Sequence, residues 1–93
     1  MSGKITELRQ KIDEIDEKIL LLLKERVEIS RKIGEEKRRQ GIQLRDFERE
    51  NEKYRQITEK ALKLELNPEE VKRVYREIID MSVHAQEDES CKS

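Results

Sequence analysis

The stretch ITELRQKIDEIDEKILLLLKERVEISRKI (residues 5–33) decides the fold. Ile5, Leu8, Ile12, Ile15, Ile19 and Leu22 recur at alternating steps of three and four, and the beat continues through Arg26, Ile29 and Ile33. This is heptad spacing, sustained over about four repeats. A second stripe of Leu20, Leu23 and Val27 widens the apolar face in the middle. The pattern predicts one helix from about residue 4 to about residue 39, on the order of 50 Å long at the α-helical rise. A helix of that length overshoots a globule of 93 residues. Its seam needs cover from another chain, so the expected fold is all-α, an intertwined homodimeric bundle with three helices per chain, one of them very long.

The composition agrees. Charged residues make up 46% and hydrophobic ones 33%, with no Trp, one Phe and two Tyr, too few large apolar side chains for a thick core. Such charge also fits disorder, but disordered chains lack the periodicity seen here. The length fits a single domain over residues 1–93. A net charge of −1 gives no overall field toward nucleic acid or an anionic membrane, so any anion site must be local. The lone Cys91 allows no intrachain disulfide. Neither a signal peptide nor a membrane span is expected, which makes the cytoplasm the default location.

Two breaks divide the rest. Gln40-Gly41-Ile42-Gln43 ends the long helix, Gly41 suiting a helix C-terminus. Asp46 then caps a second helix over about 46–64, which carries Phe47, Glu50, Tyr54, Ile57, Ala61 and Leu64 at helical spacing. In LNPEEV, Asn67 stands at the N-cap, Pro68 at the first helical position and Glu70 at the third, starting a helix over 68–86. Residues 87–93 are expected to be a disordered tail. Gly34, inside the first helix, either marks a close approach or is a tolerated defect. The single His84 has no second His or Cys as partner and reads as surface or packing, and neither a metal nor a cofactor is expected.

Four polar residues fall at positions that the periodicity assigns to a core edge: Arg26, Glu50, Ser82 and Gln86. Buried charge needs a mate. Arg26 paired with Glu50, fixing the bundle's register, is one solution. The other is a polar pocket for a charged small molecule, with Lys37 and Arg49 adding cations at its rim.

These residues carry a resemblance. The segments LRQKIDEIDEKILLLLKER (8–26), IGEEK (33–37), RDFERE (45–50) and IIDMSVHAQ (78–86) together resemble the all-helical (AroQ-class) chorismate mutases, without gaps from about Leu8 to Gln86. The first segment alone is unspecific. Its combination with Lys37, the Arg-Asp-x-x-Arg-Glu segment and Ser-x-x-x-Gln is specific. The resemblance implies an intertwined dimer that converts chorismate to prephenate, the branch step toward phenylalanine and tyrosine. It implies that Arg26 binds a substrate carboxylate and that Arg9 reaches across from the other subunit. Lys37 and Gln86 would donate to the ether oxygen. Glu50, with the backbone at Asp46, would hold the ring hydroxyl, and Ser82 and Arg49 would complete the carboxylate shell. Arg45 and Glu48 are expected to be solvated.

Two alternatives stand beside this reading. An isochorismate pyruvate lyase of the same fold uses a similar cation-lined pocket, but such lyases depart from the mutase pattern near the start of the second helix, where RDFERE is intact. A non-catalytic helical interaction module would explain the heptads and the surface charge, but leaves Arg9, Lys37 and Gln86 without a task.

Overall fold

The computed structural model describes residues 2–87. It contains three helices: α1 (Ser2–Gln40), α2 (Phe47–Lys63) and α3 (Pro68–Glu87). Each expected helix is present, with ends within a residue or two of expectation. Glu87 continues α3 and does not begin a tail. The remainder of the expected tail, Cys91 included, lies outside the described residues.

The helix ends follow from local chemistry. Gly41 adopts φ +72°, which an L side chain resists, and lets the chain reverse. The Ile42 N–H then donates to the Lys37 carbonyl at 2.9 Å and the Gly41 N–H to that of Arg38 at 3.3 Å, closing α1 with a Schellman pair. Asp46 caps α2, its Oδ1 accepting from the Arg49 N–H at 3.0 Å. Asn67 caps α3 and accepts from the N–H groups of Glu69 and Glu70 at 2.9 and 3.3 Å. The α2–α3 turn repeats the Schellman pattern, with Leu66 N–H donating to Ala61 O at 2.9 Å, but puts Glu65 at φ 62° where glycine is usual.

The helix α3 packs against both α1 and α2. Its buried residues are Ile79, Ser82, Val83 and Ala85; those of α1 are Ser30 and Gly34, and that of α2 is Ala61. Small residues at the α1–α3 crossing let the two backbones approach closely. The result is a slab of 60 × 33 × 14 Å, scarcely thicker than one helix. Its radius of gyration is 17.0 Å, against roughly 12 Å for a compact chain of this length. Residues 3–22 of α1 are exposed throughout, including the whole first half of the seam, and among the described residues nothing covers them. Among the described residues, no helix is long and apolar enough to cross a membrane.

Candidate active site

A cavity of about 300 Å³ opens where α1, the α1–α2 connection, α2 and α3 converge. α1 contributes Arg26, Ser30, Ile33 and Lys37 at steps of four, three and four; the cap and first turns of α2 contribute Asp46, Arg49, Glu50 and Lys53, and α3 contributes Ile79, Ser82, Val83 and Gln86, both sets in the i, i+3, i+4, i+7 pattern of one helix face. Leu44 closes the connection side. Four cations and two carboxylates line the space, an excess of two positive charges in a protein whose net charge is −1.

The donors are oriented by neighbours. Lys37 Nζ donates to the Leu44 carbonyl at 2.7 Å and to Gln86 Oε1 at 3.0 Å. An ammonium has three N–H bonds, so one remains for a ligand. Because the Gln86 oxygen is occupied by Lys37, its amide NH₂ is the end left to donate. Arg26 reaches across to α3, where Nη1 donates to Ser82 Oγ and to the Ile78 carbonyl. Its other guanidinium donors make no hydrogen bond among the described residues. The side chains of Arg49 and Lys53 likewise hold no ion pair among them, which leaves two cations one turn apart available to an anion.

Seven of the eight residues expected from the sequence line this cavity: Arg26, Lys37, Asp46, Arg49, Glu50, Ser82 and Gln86. The eighth, Arg9, does not. It sits on the exposed half of α1, about 25 Å along the helix from Arg26, and no motion within one chain brings it there. The register pair of Arg26 with Glu50 is not formed. Arg26 bonds to α3, and Glu50 pairs with Arg45 instead. Arg45 is exposed, as expected, but its charge is paired. His84 is exposed, and among the described residues no group of three His, Cys, Asp or Glu is placed to hold a metal ion. The sequence reading passed over two polar lining residues, Ser30 and Lys53. Ser30 was visible as the position one turn after Arg26, and Lys53 as the one a turn after Arg49, but in a run of charges neither stood out.

Gly34 is settled by geometry. A Cβ there would lie 2.6 Å from the Gln86 carbonyl oxygen and 2.7 Å from its Cα. Both are backbone atoms of the neighbouring helix and cannot rotate away. Were the glycine a mere defect, Gly34→Ala would stabilise α1 by roughly 1 kcal/mol. The expected result is the reverse, a loss of about 1–3 kcal/mol from overpacking, seen as a lower Tm in thermal unfolding. Ligand affinity is expected to fall as well, since Gln86 is displaced from Lys37.

These features define a class: a helical bundle with a cation-rich pocket between its helices. The type II chorismate mutase family model matches residues 8–87, and the chain belongs to that family. Over 57 residues it is 46% identical to a protein named chorismate mutase from Methanocaldococcus jannaschii, a match covering 61% of this chain and 58% of that protein. Over 83 residues it is 41% identical to a bifunctional chorismate mutase/prephenate dehydratase from Aquifex aeolicus, covering 82% of this chain and 22% of that one. The chain thus spans less than two thirds of the length of either relative.

Proposed function

We propose that the protein is a chorismate mutase that works as a homodimer, with Arg9 of each subunit completing the site of the other. The observation that carries this reading is the Lys37–Gln86 pair, two oriented donors lining a pocket with two excess positive charges. The substrate is a dicarboxylate, so its charge matches that excess. The reaction is an intramolecular Claisen rearrangement. The ether C–O bond breaks as a C–C bond forms, and no proton leaves or arrives.

Such a reaction asks two things of a site. The substrate must be held with its enolpyruvyl arm folded over the ring, and carboxylate clamps supply that orientation. Arg26, supported by Ser82, suits one carboxylate; Arg49, together with Arg9 of the partner subunit, suits the other. Negative charge then grows on the ether oxygen in the transition state. Donors fixed beforehand at that oxygen bind the transition state more tightly than the ground state. Lys37 and Gln86 are suited to this. Glu50 and the backbone at Asp46 are suited to the ring hydroxyl.

Support for the dimer comes from what one chain leaves bare. Ile5, Leu8, Ile12, Ile15 and Ile19 form a continuous apolar edge at about half exposure, and monomeric proteins rarely leave such an edge uncovered. A cytoplasmic location accompanies the role in aromatic amino acid biosynthesis.

The direct test is to follow chorismate loss in the ultraviolet and identify the product. Prephenate supports the reading. Pyruvate released from isochorismate, with chorismate untouched, would replace it with the lyase. Gln86→Glu gives a sharper check. An ionised carboxylate would face an oxygen gaining negative charge, whereas a protonated one donates as the amide does. Activity of the variant is therefore expected to rise as pH falls toward the usual carboxyl range near about 4.3. Lys37 favours the ionised form and displaces that rise to lower pH. A variant profile parallel to wild type would remove Gln86 from the ether oxygen.

A further inference from the structure

Glu50 is an odd lining for a site that takes a dianion. Its side chain is only 15% exposed and stands in the pocket wall, where an uncompensated carboxylate would repel the ligand. Its compensation comes from outside the pocket. Arg45 Nε donates to Glu50 Oε2 at 3.0 Å and Arg45 Nη2 to Oε1 at 2.9 Å, one contact per oxygen in the fork geometry of a bidentate pair. The guanidinium is held in turn by the Phe47 ring, whose centroid lies 4.7 Å away. Its pKa is raised above the ordinary arginine value, chiefly by the hydrogen bond to Glu50. Arg45 itself does not line the cavity.

The fork does two things that a lone charge would not. Each Glu50 oxygen spends one lone pair on Arg45, so the plane of the carboxylate is fixed and its remaining lone pairs have defined directions. The negative charge is also offset on the side away from the ligand. Lysine could supply the charge but not the plane.

We infer that Arg45 is a positioning residue of the pocket, which aims the Glu50 carboxylate at the ligand's hydroxyl and shields the ligand's carboxylates from its charge. This rests on the reading of the pocket as a chorismate site. The bland rival is a staple that holds the α1–α2 connection to α2 and has no bearing on the ligand.

The test compares the full-length wild type, Arg45→Ala, Glu50→Gln and the double variant. The readouts are kcat and KM for chorismate, the Kd of a bicyclic dicarboxylate transition-state mimic, and Tm. Arg45→Ala is expected to raise KM and Kd about tenfold, or about 1.4 kcal/mol, with a smaller change in kcat. The decisive outcome is sign reversal. In the Arg45→Ala background, Glu50→Gln removes the exposed charge and is expected to tighten dicarboxylate binding, whereas in the wild-type background it weakens it. Arg45→Lys, which keeps the charge and loses the fork, is expected to recover only part of the affinity, and it serves in place of the alanine variant should that one not fold. A lower Tm with unchanged KM and Kd would overturn the inference in favour of the staple. So would a double variant that binds no more tightly than Arg45→Ala. If wild type itself does not turn over chorismate, the functional reading fails. Turnover with an unaffected Arg45→Ala variant defeats only the positioning role.

Discussion

Lys37→Ala is expected to lower kcat by about 10²–10³, or about 3–4 kcal/mol, the loss typical of removing one preorganised donor to a developing oxyanion. The effect should fall on kcat more than on KM, because in the proposed role the contact would strengthen as the ether oxygen gains charge. The structure adds a second reason for the size of the effect. Lys37 also holds the Leu44 carbonyl and the Gln86 amide oxygen, at 2.7 and 3.0 Å, so its removal frees Gln86 to turn either end toward the ligand. Two donors are weakened by one substitution. Steady-state kinetics with prephenate as the assayed product measures this. Helicity by circular dichroism verifies that the bundle is intact. An effect confined to KM would move Lys37 from the ether oxygen to the carboxylate shell.

Ile15→Glu is expected to abolish the folded dimer at micromolar concentration. Ile15 sits mid-seam, half exposed in a single chain, with Ile12 and Ile19 beside it. In a dimer that buries this edge, the new carboxylate would lie in an apolar interface without a mate, which costs several kcal/mol at each of two symmetric positions. A slab one helix thick has little stability in reserve once the partner leaves. Glu14→Gln, about 100° around the helix from Ile15 and off the apolar seam, is the control and is expected to change little. Sedimentation and thermal unfolding at two protein concentrations decide the matter. A folded, active Ile15→Glu monomer would refute the dimer reading.

What the sequence made legible follows from where its information is local. Heptad spacing depends only on neighbours along the helix, so α1 could be read from Ile5 to Ile33. The stops at Gly41 and at Asn67-Pro68 are equally local, set by φ and by capping side chains. Polar residues on an apolar stripe picked out Arg26, Glu50, Ser82 and Gln86 without any family knowledge. Pairing was another matter. Arg26 had several acidic residues to choose from, and the choice fell to α3 hydroxyl and carbonyl groups, because the crossing set by Gly34 and Ser30 brings Ser82 within reach. Arg45 was read as solvated because in a run of five charges nothing local tells a paired guanidinium from a free one. Lys53 was missed for the same reason. Arg9 lies beyond any argument from one chain, and only the resemblance to chorismate mutases drew notice to it.

The contacts that make the pocket are also distant in sequence. Lys37 meets Gln86 across 49 residues, and Arg26 meets Ser82 across 56. The helices themselves need only local bonds and form on a submicrosecond to microsecond scale, while joining α1 to α3 must first overcome the closure entropy of the segment between them. Under the proposed activity, turnover in a refolding chain would therefore lag the recovery of helical signal, and its return would time the assembly of the pocket.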